Sequence, residues 1–434
     1  MTVVDPSAVS VGLDAAIVAS HQVAIRGPGV CEDFKVAPTL AGLARLVERL
    51  EPYAGALVVA EPTGGTWLAL GHAIEQAGCR FALVKNTDSA RLRKAIAGAN
   101  KTDPIDAEML AHCQAVLGVT RTVLPSPTVW GLRRAMLRLH RCMVEAHRAE
   151  SRLWSLSTWA FPDVWRACGG HGLAQPILGR WPELAGLARA HLDSIAEIVA
   201  AHSRDRDPRR RAERIRDAAR GWLLFWKGRM DLDLLAWELG EILDDIDISD
   251  SRQKAATAKA VGVWVGSWPD DLLTTVPGIG PICAAATRAW WADAELSSPK
   301  QAAAFIGLNP SNWESGLSVP PSRPITKEGP PALRLAYYQG ANVARHHDPA
   351  LAAHYRKLMV ERHHNHIKAN TAVARKLACR AWAVLDSGQP YQLRDLKGNP
   401  IDAEQAKTIC ASLAVPQDVR QRSRAHQRGR LSLN

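Results

Sequence analysis

The chain has 434 residues, 47% of them hydrophobic and 22% charged, with a formal net charge of +11. That apolar content excludes a wholly disordered chain, and the length provides for two to three domains of about 150 residues each. No run of about 18 apolar residues occurs, so no membrane-spanning helix is expected, and the opening MTVVDPSAVS lacks the basic segment and apolar core of a secretory signal.

The eight cysteines stand singly, with no C-x-x-C pair. This disfavours a zinc ribbon or redox pair and fits a reducing cytoplasm. The cationic surplus favours polyanionic partners (DNA, RNA or acidic lipid) over a basic protein that is merely soluble.

Residues 8–36 read as strands. In AVSVGLD, Val9, Val11 and Leu13 alternate with Ser10, Gly12 and Asp14, which sets the carboxylate opposite the apolar face. HQVAIRGPGVCEDFKV continues the meander around a GPG turn. Thr39 is placed to cap a helix whose Leu43, Leu46, Val47 and Leu50 share one face. ALVVA (56–60) is a short buried strand running straight into Glu61, a helix follows over Thr66–Gln76, and FALVKN is a further strand. Strands alternating with helices define an α/β unit.

From about 125 to 265 the pattern is helical and rich in tryptophan. HSRDRDPRRRAERIRDAAR reads as a solvated helix face or linker. MDLDLLAWELGEILDDIDI reads as an arm or hairpin packing against a partner chain. A compact helical domain begins near 270. The tail carries Arg420, Arg422, Arg424, Arg428 and Arg430 against Asp418, the pattern of a mobile basic extension touching phosphates non-specifically.

NKTDPIDAEMLA (100–111) places Asp103 and Asp106 three residues apart. As a helix start, Asp103 is the N-cap, Pro104 lies in the first turn and Asp106 reaches back as a capping-box acid. Two strand-end acids, Asp14 and Glu61, offer a second reading. The i, i+3 spacing keeps the helix acids on one face, and four gathered carboxylates repel by about 4 kcal/mol per pair at 4 Å and an effective dielectric near 20. A bound cation makes such a cluster tolerable, and all-oxygen ligands select a hard ion, Mg²⁺ or Mn²⁺. VGLD followed by EPTGG also fits an actin-like ATPase or sugar kinase, though VGLDAAIVAS holds no phosphate-gripping glycine loop.

VGLD, AEPTGG and NKTDPIDAEMLA, followed by VPGIG, AAFIGLNPSNWESG, SRPITKEG and LRLAYYQGA, are specific in combination and in this order. The sequence resembles the DEDD transposases of the insertion-sequence 110 family, the bridge-RNA-guided recombinases related to the Piv invertases. The resemblance covers about the first 115 residues and about 270–390. It implies an α/β RNase H-like (RuvC-like) domain over 1–124 and a helical transposase domain over 269–390. The residues themselves read as a helical connector and oligomerisation region over 125–268 and a basic extension over 391–434, the latter matching no part of the family pattern.

By motif match, Asp14, Glu61, Asp103 and Asp106 are the family's metal-binding tetrad, for Mg²⁺ or Mn²⁺. Ser315, in WESG, matches its nucleophile, which attacks a DNA phosphate and forms a phosphoserine link during strand exchange. A hydroxyl needs a base or metal to lose its proton; without the resemblance, Ser315 reads as a loop hydroxyl making a turn before Gly316, and Ser318 is its nearest rival. Gly278 and Gly280 form a hairpin whose N–H groups could hold a phosphate, or else an ordinary Gly-Pro turn. Arg323 and Lys327 would neutralise the scissile phosphate, with Arg334 a further candidate. The histidine clusters RHHDP and RHHNHIK lack a partner set for zinc and read as a cationic face near nucleic acid.

The expected partners are DNA, an element-encoded guide RNA and further copies of the chain as dimer or tetramer, with no membrane, in a cytoplasmic, nucleoid-associated location. A RuvC-like endonuclease hydrolysing DNA through the acids alone, and a non-catalytic basic scaffold, are the competing readings. Trp313 where relatives carry tyrosine, the proline-rich SVPPSRP and a long central segment depart from the family pattern.

Overall fold

The computed structural model describes residues 8–98, 102–311 and 324–431. The chain divides into two compact units, Met1–Ser126 and Pro127–Asn434.

The first unit is built on a mixed five-stranded sheet. β1 (Ser10–Asp14), β2 (His21–Gly27) and β3 (Val30–Val36) form the antiparallel meander, and Gly29 takes the positive φ of 73° that its tight turn requires. α1 (Leu40–Leu50) starts at Thr39, whose Oγ1 accepts from Gly42 N at 3.1 Å, and buries Leu46, Val47 and Leu50. β4 (Leu57–Ala60), α2 (Thr66–Gln76) and β5 (Arg80–Leu83) follow, then α3 (Asn86–Ala97) and α4 (Asp103–Leu117). The strand order is β3-β2-β1-β4-β5, with β1, β4 and β5 mutually parallel. All four residues of β4 are buried, as expected of a strand covered on both faces.

Those two faces differ. Phe81 of β5 lies against Gly71 of α2. On the other face Gly12 admits α4: a Cβ at that position would stand 1.9 Å from Ala107 O and 2.3 Å from Ala111 N. The apolar alternation read in β1 therefore serves two helix layers, and the glycine lets one of them seat directly on the strand.

In the second unit, α5 (Pro127–Ala160) and α11 (Leu232–Ser267) are 34 and 36 residues long, about 50 Å each at 1.5 Å per residue. They pair antiparallel. Leu132 and Met136 share one core with Ala260 and Trp264, whereas Leu153 and Leu156 share a second with Leu239 and Leu243. That second core is completed by α6 (Pro162–Cys168), α7 (His171–Arg180), α8 (Leu184–Arg189), α9 (Leu192–His202) and α10 (Pro208–Trp226). The charge run RRRAER forms α10, with Ala212, Ile215 and Ala219 buried on one face. MDLDLLAWELGEILDDIDI packs within its own chain, as half of this long hairpin.

The first core gathers α12 (Pro281–Trp291), α13 (Pro299–Phe305), α14 (Pro331–Ala344), α15 (Pro349–Arg356) and α16 (His366–Ser387). Beyond it lie α17 (Ala403–Ser412) and α18 (Gln417–Leu431). The tail expected to be a loose extension is helical, and Ser423 fastens it: its buried Oγ accepts from His366 N at 2.9 Å in the first turn of α16. Among the described residues no helix is long and apolar enough to cross a membrane.

Candidate functional site: strand-end acids and a clamped loop

Asp14 is the last residue of β1, and Glu61 follows the last residue of β4. Because Leu13 and Ala60 are paired in parallel register, the two acids leave the same edge of the sheet on neighbouring strands. Asp14 shares the face of Gly12, two residues earlier, against which α4 is seated. Asp103 and Asp106 lie in the first turn of that helix. The capping arrangement differs from expectation. Thr102 occupies the N-cap position, Asp103 is already helical, and Asp106 spends its carboxylate on Arg93 at 3.3 Å. Pro104, lacking an N–H, suits the second helical position.

Two side chains of α3 that sequence reasoning passed over engage these acids. Ser89 Oγ donates to Glu61 Oε1 at 2.5 Å, and Arg93, one turn on, meets Asp106. Their i, i+4 spacing was visible in SARLR, but nothing there indicated which way that helix face turns. Glu61 also acts on Cys113 of α4, whose thiol is pushed up to about 11 by burial, with Glu61 and Asp88 adding to the shift. Gln22, opposite Asp14 across β1–β2, is buried, and its Oε1 has no partner among the described residues. His21, kept neutral by burial, accepts from Ala16 N at 3.1 Å through Nδ1 and ties the turn that follows Asp14.

An all-carboxylate set has the donor chemistry for a hard divalent cation. Among the described residues, however, no three His, Cys, Asp or Glu side chains gather closely enough to hold one. The guanidinium of Arg93 is the cation that sits on Asp106.

In the second unit, Ser315 and Arg323 lie outside the described residues; the stem of their loop does not. Ser311 N donates to Pro324 O at 2.8 Å, Thr326 N to Asn309 O at 2.9 Å and Lys327 N to Gly307 O at 3.1 Å. Gly307 (φ 75°) and Gly329 let the two stem segments touch backbone to backbone: a Cβ on Gly329 would stand 2.0 Å from Phe305 O. Lys327 is exposed and has a φ of 56°, a conformation that costs a non-glycine residue of order 1–3 kcal/mol.

Arg334, half-buried, donates to Ile306 O at 3.2 Å and Gly329 O at 3.1 Å, and burial lowers its pKa. It ties the stem together. Arg375 of α16 holds Asn309 Oδ1 at 3.0 Å, a second anchor for which the sequence carried no signal.

Gly278 (φ 89°) abuts α14, where a Cβ would stand 2.3 Å from Gly340 O, so close packing accounts for that glycine. Gly280 is exposed at the N-cap of α12.

A family model described as Transposase, of the IS110 DEDD type, matches residues 11–162, the stretch holding Asp14, Glu61, Asp103 and Asp106. A second, described as Transposase IS116/IS110/IS902 family, matches 270–356, which includes both sides of the stem. The chain belongs to the IS116/IS110/IS902 transposase family. It is also 32% identical over 123 residues to a protein of Sinorhizobium fredii (strain NBRC 101917 / NGR234) named "Putative transposase y4rJ", a match covering 27% of this chain and 30% of that protein. The match thus spans under a third of that relative's length.

Proposed function

We propose that the chain is a DNA transposase or site-specific recombinase that cuts and rejoins strands through Ser315, with a divalent ion, Mg²⁺ or Mn²⁺, held by Asp14, Glu61, Asp103 and Asp106. The observation that carries the reading is the placement of Asp14 and Glu61 at one edge of a β3-β2-β1-β4-β5 sheet, with α4 bringing two more acids on the Gly12 face. That order also supports an RNase H-like first unit. When bound, the ion would supply charge to polarise a phosphate and stabilise a departing oxygen.

The chain's own residues do the rest. Ser89 orients Glu61, and Arg93 holds Asp106. Ser315 Oγ attacks phosphorus. The new O–P bond replaces one to a deoxyribose oxygen, which leaves as a hydroxyl carrying the serine proton. The phosphodiester's energy is kept in the enzyme–DNA bond, so rejoining needs no nucleotide cofactor. Lys327 on the stem and Arg323 would neutralise the phosphate.

An element-encoded guide RNA and a homo-oligomer belong to the same proposal. Support for the oligomer comes from Trp159 of α5 and Trp237 of α11, each more than half exposed on the long hairpin.

Denaturing gels of the protein with a supercoiled donor and a divalent salt test the reading. A covalent protein–DNA adduct that disappears in Ser315→Ala, and in Asp14→Asn, is the expected result. Cleavage without adduct, unaffected by Ser315→Ala, would instead favour hydrolysis by the acids alone.

A further inference from the structure

The RHHNHIK cluster found no role in that chemistry, yet it lines an open cavity of about 330 Å³ between the N-terminus of α16 and α18. The approach to it is irregular. Residues Lys357–Glu361 form a π-turn, a local defect that recurs at functional sites. His363 follows with φ 51°, in the left-handed region that a non-glycine residue seldom occupies. Asn365 then caps α16 by accepting from Lys368 N at 3.0 Å, and Ser423 takes the His366 N–H.

The cavity walls comprise His363, His364, Asn365, Lys368, Arg422 and Ser423 above the buried Met359 and the partly buried Val419, with no carboxylate among them. Arg422 is shared with Asp418 at 3.0 Å, an exposed pair of the kind worth little. His364 has its Nδ1 buried without a partner among the described residues. Burial, and then Lys368 and Arg362, lower its pKa, so the ring is neutral near pH 7 and carries one N–H.

Two cations, a neutral donor and the positive end of a 22-residue helix converge on one open cavity. We propose that this cavity is a built site for a single backbone phosphate of a nucleic-acid strand, gripped by Lys368, Arg422 and His364. The identification of the anion as nucleic acid rests on the proposed function above. The site itself serves positioning and carries no sequence information.

The test is fluorescence anisotropy of the full chain with a labelled duplex of arbitrary sequence, read as the slope of log Kobs against log salt. One phosphate in one pocket sets a specific magnitude. Lys368→Ala/Arg422→Ala together should lower the slope by about 0.9 in total, because the slope counts phosphates neutralised rather than cations removed. His364→Ala should weaken binding several-fold with the slope unchanged, and His364→Gln should recover part of the loss, since a neutral donor releases no counterion. Lys254→Ala/Lys259→Ala, two exposed cations of α11, provide the control. At matched ionic strength, inorganic phosphate should compete with the duplex on the native chain more strongly than on the double variant.

An unchanged slope would overturn the proposal. So would a loss of about 1.8, the mark of two separate surface contacts, or equal losses in the α11 control. Phosphate competition that persists in the double variant would place the anion elsewhere. Asp14→Asn should keep the native slope while losing strand chemistry, so failure of the pocket and failure of the transposase reading give different records.

Discussion

Replacing Gly12 by alanine tests whether α4 is seated on β1. The added Cβ would fall 1.9 Å from Ala107 O and 2.3 Å from Ala111 N. Both are main-chain atoms inside a helix, so no side-chain rotation relieves the overlap. Reaching ordinary contact requires α4 to withdraw by about 1.5 Å in a close-packed interior. That movement also loosens Leu110 and Cys113 from Leu57, Val59 and Ala82. Overpacking typically costs about 1–3 kcal/mol, and an obstruction made of backbone belongs at the upper end. For a unit of this size, about 3 kcal/mol lowers the midpoint of thermal unfolding by about 10 °C. Calorimetry of the full chain, with hydrogen exchange at the α4 amides, measures it. Gly131→Ala, in α5 with nothing within 4 Å of its Cβ, should be neutral or slightly stabilising. Because Asp14 is two residues along the strand and Asp103 and Asp106 are one turn back on the helix, Gly12→Ala should also abolish strand cleavage with every acid intact. A Gly12→Ala protein with native melting and native α4 protection would refute the seating.

Arg93→Ala should remove the cation that competes for Asp106. A largely buried pair at 3.3 Å is worth about 1 kcal/mol net, so the Mg²⁺ concentration for half-maximal cleavage should fall about five-fold; an increase would show that Arg93 helps to build the site. Asp271 is buried and accepts from Arg288 at 2.9 and 3.0 Å, Trp264 at 2.8 Å and Leu273 N at 3.1 Å. Burial acts to raise its pKa, but these hydrogen bonds outweigh it and hold the carboxyl below the usual range. Asp271→Ala leaves Arg288 unpaired and should cost about 3–5 kcal/mol, read in urea unfolding; a loss under 1 kcal/mol would mean water replaces the carboxylate. His354 is depressed to about 4 by burial, then by Lys376, Lys357 and Arg380. Its folded pKa lies below its unfolded one, so its contribution is complete above about pH 6.5 and is lost as pH falls toward 4. After allowance for screening of a half-buried group, about 1–2 kcal/mol is at stake, and stability against pH for His354→Gln should be flatter across that window.

Local chemistry made part of the molecule readable. Thr39 caps α1 because a hydroxyl beside an apolar stripe satisfies a helix start wherever it occurs. β1 was legible because a period of two needs only neighbouring residues. The Asp14–Glu61 pair followed from the same source, since each acid ends a strand that its own sequence terminates. Roles that depend on what lies across the fold were not legible. Gly12 looked like one more small residue in a strand until α4 was found against it. Arg334, expected at a phosphate, is spent on the carbonyls of Ile306 and Gly329. The MDLDLLAWELGEILDDIDI arm closes on α5 of its own chain, because an apolar stripe does not name its partner.

The amino-acid sequence by itself determined the kinds of element, the acids that end them and the order of motifs that places this chain in its family, because those depend on residues adjacent along the chain. Only the tertiary structure decided that Ser89 and Arg93 attend the acids, that the stem of the serine loop is clamped by Arg334 and Arg375, and that the histidine cluster opens onto a cavity. Each of these joins residues whose separation in sequence carries no information about their distance in space, and it is packing of the two cores and the sheet that fixes that distance.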